Sequence, residues 1–251
     1  MVTQDGAAVQ NIKLFLLGGV ELRGVDRRVA DRVLAQPKIT ALLAFLALSP
    51  EQRPQRRDRI VALLWPELDQ VHARTALRKA VHALRAALGP DALRSRGDEE
   101  IGLAVPPLWC DAVELAEAAE RGRMLQAVDL YQGELLPGFH LAGCVEFDRW
   151  LDEERTTARE RAAAAAWGLA RSLESDNRRT DAGHWAKKAV RYRWDDERVL
   201  RRTLTMLARI GDHAGALRLY EEFAARMQTE LEALPSPETI ALADSLRPSA
   251  R

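Results

Sequence analysis

Residues 72–89 read HARTALRKAVHALRAALG. Apolar residues recur in this stretch at intervals of four, three and four positions, which places them on one stripe of an α-helix. They are Leu77, Val81, Leu84 and Leu88. A second arc of the same helix holds polar and basic side chains, namely Thr75, Arg78, Lys79 and His82, with Arg74 and Arg85 at its flank. We therefore expect one buried face and one cationic face.

A cationic helix face of this kind suits DNA, because the major groove accepts an α-helix and presents base edges to basic side chains. The alternative is a solvated face, but solvated faces usually mix both signs of charge. The chain has 37 basic and 37 acidic residues, yet residues 52–96 hold ten basic and four acidic side chains. This local excess of positive charge favours attraction to a polyanion.

The elements predicted around this helix follow the order of a winged helix-turn-helix. Residues 12–17 and 20–23 predict two short antiparallel strands around Gly18-Gly19. A core helix starting at Pro37 and a second helix ending at Trp65-Pro66 come next. After the cationic helix, residues 92–96 and 101–105 predict a β-hairpin with its turn at 97–100. In this arrangement the last helix enters the major groove.

Beyond Pro106-Pro107 the sequence predicts helices and no strand. These helices span residues 111–121, 124–135, 146–175 and 239–246, with two helical hairpins after residue 179. Ala182-Gly183 is echoed 32 residues later by Ala214-Gly215, close to the period of about 34 in tetratricopeptide repeats. We expect a mainly α protein with a small β component. Its predicted parts are a disordered leader (1–11), a winged-helix domain (12–106), an all-α tetratricopeptide-like domain (107–247) and a tail (248–251).

Several classes of function are disfavoured by the sequence. Cys110 and Cys144 fit neither a disulfide framework nor a zinc motif. No apolar run is long enough for a membrane span and the first residues do not resemble a signal peptide, so we expect a cytoplasmic protein without a membrane partner. No phosphate-loop, nucleophile-elbow or zinc-protease motif occurs, and the five histidines are scattered. We expect no catalytic, cofactor or metal site.

The chain resembles SARP-type bacterial transcriptional activators, which join an OmpR-like winged-helix domain to a helical bacterial transcriptional activation domain (BTAD). In the first half, the motifs that carry the resemblance are KxxALLA at 38–44, RDRIxxLLW at 57–65 and ARxALxxxVxxLRxxLG at 73–89. In the second half they are LLPGF at 135–139, EFxxWL at 146–151, GDxxxALxxY at 211–220 and PSPE at 235–238. The resemblance covers residues 12–247.

The resemblance implies that the exposed arc of the third winged-domain helix reads bases. In this sequence that arc comprises Thr75, Arg78, Lys79 and His82. Basic residues beside it are predicted phosphate contacts, which set the register on DNA without reading sequence. They are Arg56, Arg57, Arg74, Arg85, Arg94 and Arg96. The wing tip, residues 97–100, carries three carboxylates, so we expect it to avoid phosphate.

The resemblance also implies partners. They are double-stranded promoter DNA, RNA polymerase and neighbouring protomers, as a homodimer or set head to tail on direct repeats. Two alternatives stay open. In the first, the chain is a protein-interaction adaptor in which the tetratricopeptide-like half is the working part. In the second, that half senses a small-molecule effector in a pocket lined by some of Trp109, Trp150, Trp167, Trp185 and Trp194. Aromatic residues at helical spacing are more often core, which disfavours the pocket.

Overall fold

A computed structural model of the chain describes residues 12–49, 53–104 and 108–247. The predicted leader at 1–11, the tail at 248–251 and the Pro106-Pro107 break lie outside these ranges. The described residues form two compact units. The first extends through Glu114 and includes Leu130–Thr156, and the second comprises Leu115–Asp129 and the residues from Thr157 onward. No helix in the described ranges is long and apolar enough to cross a membrane.

The elements of the N-terminal half, in chain order, are β1 (Lys13–Phe15), β2 (Glu21–Arg23), α1 (Arg27–Leu34), α2 (Pro37–Ala47), β3 (Gln55–Arg56), α3 (Arg57–Leu64), α4 (Gln70–Leu88), β4 (Leu93–Arg96), β5 (Glu100–Leu103) and β6 (Trp109–Cys110). The helices that follow are α5 (Asp111–Glu120), α6 (Met124–Leu130), α7 (Val145–Ser175), α8 (Arg179–Tyr192), α9 (Glu197–Arg209), α10 (His213–Leu231) and α11 (Pro237–Ser245). This order confirms the predicted fold class.

The first sheet has the strand order β2-β1-β6. β1 and β2 are antiparallel, with Leu14 opposite Leu22, as predicted. β6 pairs in parallel with β1, so the expectation of no strand beyond Pro106-Pro107 is wrong. A two-residue strand is too short to show alternation in the sequence. Its position is set by backbone pairing and by packing of Trp109 on Phe15, whose ring centroids are 5.1 Å apart.

The winged helix-turn-helix is built around α2, whose residues from Ile39 to Ala47 are all buried. α2 packs against α3, α4 and β5. In the second sheet, β5 pairs antiparallel with both β3 and β4, which gives the predicted wing. The sequence analysis did not predict α1. This helix is highly charged and buries only Ala30 and Val33, and it is capped by Asp26.

A buried carboxylate joins the first sheet to α5. Asp111, which is 3% exposed, accepts hydrogen bonds from the backbone N–H groups of Leu16, Leu17 and Ala112 at 2.8–3.1 Å. Burial raises the pKa of Asp111, and these hydrogen bonds oppose the rise because they stabilise the ionised form. This side chain therefore fixes where the helical half of the chain begins.

Another long-range anchor is Arg155 on α7. Its guanidinium donates to the carbonyl oxygens of Leu135, Leu136 and Phe139 at 3.0, 2.7 and 2.9 Å. Leu136 has a left-handed backbone (φ 47°), an uncommon conformation for a side chain of this type. The LLPGF segment at 135–139 is thus held by one arginine that the sequence analysis did not identify.

The second unit contains the predicted helical hairpins, and its turns show the repeat period. The turn before α8 is closed by a hydrogen bond from Arg178 N to Leu173 O, and the turn before α10 by one from Asp212 N to Leu207 O, both 2.8 Å. These two bonds lie 34 residues apart, where the sequence comparison suggested 32. Asn177 and Gly211 occupy the left-handed position of each turn.

Candidate nucleic-acid interface

Helix α4 carries the predicted base-reading face, and both of its ends are well defined. The Asp69 carboxylate accepts hydrogen bonds from Val71 N and His72 N, both at 3.0 Å, and caps the N-terminus. Gly89, with φ 107°, ends the helix. The buried side combines the predicted apolar stripe with two alanines: Ala73, Leu77, Ala80, Val81, Leu84 and Leu88. The helix contains no acidic residue, so its solvent-facing side is cationic.

The four predicted base-contacting residues lie on the solvent-facing side. Arg78, Lys79 and His82 are exposed, and Thr75 is partly exposed. Lys79 and His82 form no hydrogen bond or ion pair with any residue that the structure describes. Both side chains are therefore free to reach a ligand.

Thr75 and Arg78 are tied to each other and to the helix backbone. The Thr75 hydroxyl donates to the carbonyl of Val71 at 2.9 Å. Arg78 donates through Nη2 to the Thr75 hydroxyl at 3.3 Å and through Nε to the carbonyl of Arg74 at 3.4 Å. These last two contacts are long, so Arg78 can exchange them for a better acceptor at small cost.

Two of the predicted phosphate contacts, Arg57 and Arg85, meet at a serine of the wing. The Ser95 hydroxyl accepts from Arg57 Nη2 at 3.1 Å and from Arg85 Nη2 at 3.4 Å. Arg85 also donates to the carbonyl of Leu93 at 3.0 Å. The Nε atoms of both arginines are buried and have no hydrogen-bond partner among the residues that the structure describes.

The pKa of Arg57 is lowered, first by burial and then by the nearby charges of Arg85 and Arg78, against the opposing effect of Asp98. The backbone N–H of Arg57 donates to the carbonyl of Glu99 at 2.8 Å, which holds the wing tip against the start of α3. The result is a compact group of cations whose mutual repulsion an anion can relieve.

A cleft of about 410 Å³ lies between the start of α3, the first half of α4 and the wing tip. It is lined by Arg56, Arg57, Asp58, Arg74, Leu77, Arg78, Asp98 and Glu99. Arg74, predicted to contact phosphate, forms a 2.9 Å ion pair with Asp58 inside this lining. The structure therefore brings three carboxylates close to the predicted phosphate-contacting arginines.

The remaining predicted phosphate contacts are exposed and lie on or next to the wing sheet. Arg94 and Arg96 project from the same side of β4, as the period of two predicts. Arg96 lies 3.9 Å from the carboxylate of Glu100. Arg56 and Arg94 form no ion pair with any described residue.

Asp58 and Ser95 also belong to this surface, although neither is among the residues predicted from the sequence. Asp58 lies 16 positions before its partner Arg74, on a different helix, and no local pattern links them. Ser95 had a usable signal, because alternation along β4 places it on the side opposite Arg94 and Arg96, toward α4. That signal predicts a serine facing the flank of the helix.

The five tryptophans considered as the lining of a ligand pocket are divided between the two compact units, and Trp167 and Trp185 of the second unit pack against the same buried cluster of Ala170, Ala186 and Met206. In the first unit, Trp109 packs on Phe15 and Trp150 on Phe45. In the second unit three separate cations cover one tryptophan ring each at 4.2–4.7 Å, namely Arg202 on Trp167, Lys188 on Trp185 and Arg226 on Trp194. Among the described residues no group of His, Cys, Asp and Glu side chains is arranged to hold a metal ion.

Comparison with known proteins adds the family. The model of the family described as bacterial transcriptional activator domain matches residues 111–247, which is more than half of the chain. The chain belongs to this family. Membership confirms the resemblance to SARP-type transcriptional regulators.

The BTAD-family chain is also similar to a solved structure, Mycobacterium tuberculosis EmbR in complex with a low-affinity phosphopeptide. The match has a TM-score of 0.59 at 19% identity and covers 94% of this chain. The chain thus spans just under two thirds, 65%, of the length of the EmbR chain. The likeness concerns the fold. No curated protein matches the chain.

Proposed function

We propose that this BTAD-family protein is a sequence-specific DNA-binding transcriptional regulator that acts as an activator. The observation that carries the proposal is the solvent-facing side of α4, where Arg78, Lys79 and His82 are exposed on a helix without a single acidic residue. In a winged helix-turn-helix this helix is the one that enters the major groove. Arg and Lys there can donate to O6 and N7 of guanine.

The two arginines that donate to Ser95 also support the proposal, on energetic grounds. Arg57 and Arg85 converge on one neutral hydroxyl, and no described residue hydrogen-bonds to their buried Nε atoms. A DNA phosphate placed there gains charge-assisted hydrogen bonds and relieves the repulsion between the two guanidiniums. These contacts set the register of α4 in the groove.

For the helical second unit we propose contacts with RNA polymerase and with neighbouring protomers. Family membership and the tetratricopeptide-like hairpins support this role, because stacked helical repeats commonly present extended binding surfaces. The protomers bind direct repeats head to tail in the cytoplasm. Binding of two protomers to a duplex with two half-sites, but of only one to a duplex with a single half-site, is the expected result in mass photometry.

The central experiment selects duplexes from genomic fragments with the full-length protein and compares their affinity with that of scrambled sequences at physiological salt. Arg78→Ala is expected to lower the ratio of selected to scrambled affinity by about 5–150-fold, since one bidentate guanine contact gives about 1–3 kcal/mol of discrimination. Arg191→Ala, an exposed helix arginine of the second unit, is the matched control and leaves the ratio unchanged. No preference of the wild type for any fragment rejects the proposed function.

A further inference from the structure

One side chain on the solvent-facing side of α4 differs from its neighbours. Val71 is 71% exposed, although α4 buries its other branched apolar side chains. It lies in the first turn, one helical turn before Thr75 and two before Lys79, so the three side chains share one face. An exposed valine thus extends the predicted base-contacting face toward the N-terminus of the helix.

The fold does not require a valine at this position. The capping bond to Asp69 uses the backbone N–H of Val71 and leaves the side chain uninvolved. A β-branched residue also has a lower helix propensity than alanine. The apolar surface of Val71 therefore contributes little to folding and is available for a partner.

The neighbouring threonine makes the same part of the face apolar. The Thr75 hydroxyl donates its proton to the Val71 carbonyl and accepts from Arg78, so the donor that a base acceptor needs is already used. The methyl group of Thr75 is what remains for contact. Val71 and Thr75 form two adjacent methyl-bearing positions beside the cations Arg78 and Lys79.

We propose that Val71 contacts the C5-methyl group of a thymine in the major groove and thereby helps to select the operator. This inference rests on the proposed function. In the major groove only thymine carries a methyl group, and apolar side chains are its natural contacts. The first residues of a recognition helix are the ones that reach base edges. The flanking cations hold the valine against the polyanion, which a purely apolar surface could not achieve.

The experiment replaces the thymines of the selected operator one at a time with uracil, which lacks only the methyl group. The affinity of the full-length protein is measured for each singly substituted duplex. The affinity of the wild type is expected to fall about fourfold when uracil replaces thymine at one position, because one buried methyl group is removed. Val71→Ala is expected to bind the thymine operator about fourfold more weakly and to show no further loss with uracil at that position. Val145→Ala, an equally exposed valine in the first turn of α7, is the control and keeps the full response.

Each outcome decides the proposal. A uracil response that persists unchanged in Val71→Ala overturns it, and so does the absence of any response in wild type. A response that disappears in Thr75→Ser but not in Val71→Ala assigns the methyl contact to Thr75 and also overturns it. In each of these cases the protein still binds its selected operator in preference to other sequences. If the proposed function itself fails, no operator is selected in the preceding experiment.

Discussion

Removal of Arg57 should weaken DNA binding in a way that depends on salt and not on sequence. The guanidinium forms one 3.1 Å hydrogen bond to Ser95, and no ion pair links it to a described residue. Burial and the charges of Arg85 and Arg78 already lower its pKa, which means that they destabilise its charged form. Arg57→Ala keeps the backbone bond to Glu99, and we expect the wing to stay folded.

The size of the expected change in salt dependence follows from the number of predicted phosphate-contacting arginines that are not in ion pairs. Six arginines are predicted to contact phosphate, but Arg74 is paired with Asp58 and Arg96 lies beside Glu100, which leaves four that have no carboxylate partner in the described part of the chain. Each phosphate contact contributes about −0.9 to the slope of log affinity against log salt concentration. We therefore expect a slope of about −3.6 per protomer for wild type and about −2.7 for Arg57→Ala. The ratio of wild-type to Arg57→Ala affinity should therefore fall by about 3.5-fold when the salt concentration rises from about 50 to about 200 mM.

Fluorescence anisotropy on a duplex with one half-site, repeated at several salt concentrations, measures both slopes. Arg191→Ala removes the same charge from an exposed helix position in the second unit and should keep the wild-type slope. Arg57→Lys retains the charge and should also keep it. A weaker Arg57→Ala variant with an unchanged slope would refute the phosphate contact, because the loss would then come from folding or from base recognition.

Two substitutions test contacts that the structure adds. Asp58→Asn releases Arg74 from its 2.9 Å ion pair, so selected and scrambled duplexes should both bind about threefold more tightly in the same anisotropy assay; a gain confined to the selected duplex would contradict this. Arg155→Ala removes the hydrogen bonds to the carbonyls of residues 135–139 and should lower the free energy of unfolding in urea by about 2–4 kcal/mol. Exposed Arg149→Ala should cost less than about 1 kcal/mol, and equal losses in the two variants would show that the carbonyls find other partners.

The elements that the sequence predicted well are those with a regular pattern over several turns. The apolar stripe of α4 repeats through residue 88, and the structure buries each of its members. α2 and the β4–β5 hairpin are similarly clear, since proline, glycine and alternation mark their ends. The missed elements lack such a pattern. α1 buries only Ala30 and Val33, and β6 is two residues long and depends on pairing with β1.

The contacts of the candidate interface were predictable only in part. Helical periodicity identified which side of α4 faces solvent, because that depends on spacing along one element. The Asp58 to Arg74 ion pair and the meeting of Arg57 and Arg85 at Ser95 depend on how α3, α4 and the wing pack. Side-chain contacts between elements leave no periodic signal in the sequence, so the charge count alone overstated the number of unpaired cations.

The same contacts distinguish two arginines of α4, namely Arg74 at the flank of the predicted base-contacting arc and Arg78 within that arc. Arg74 must break a 2.9 Å ion pair before it can reach DNA, whereas Arg78 gives up only contacts of 3.3 and 3.4 Å to neutral oxygens. Breaking an ion pair with a carboxylate costs more than giving up two long hydrogen bonds to neutral oxygens. We therefore expect Arg78 to contact a guanine and Arg74 to stay with Asp58 in the lining of the cleft. Both side chains are exposed, so the roles that we expect for them, base contact and positioning, rest on the difference in their pairing and not on exposure.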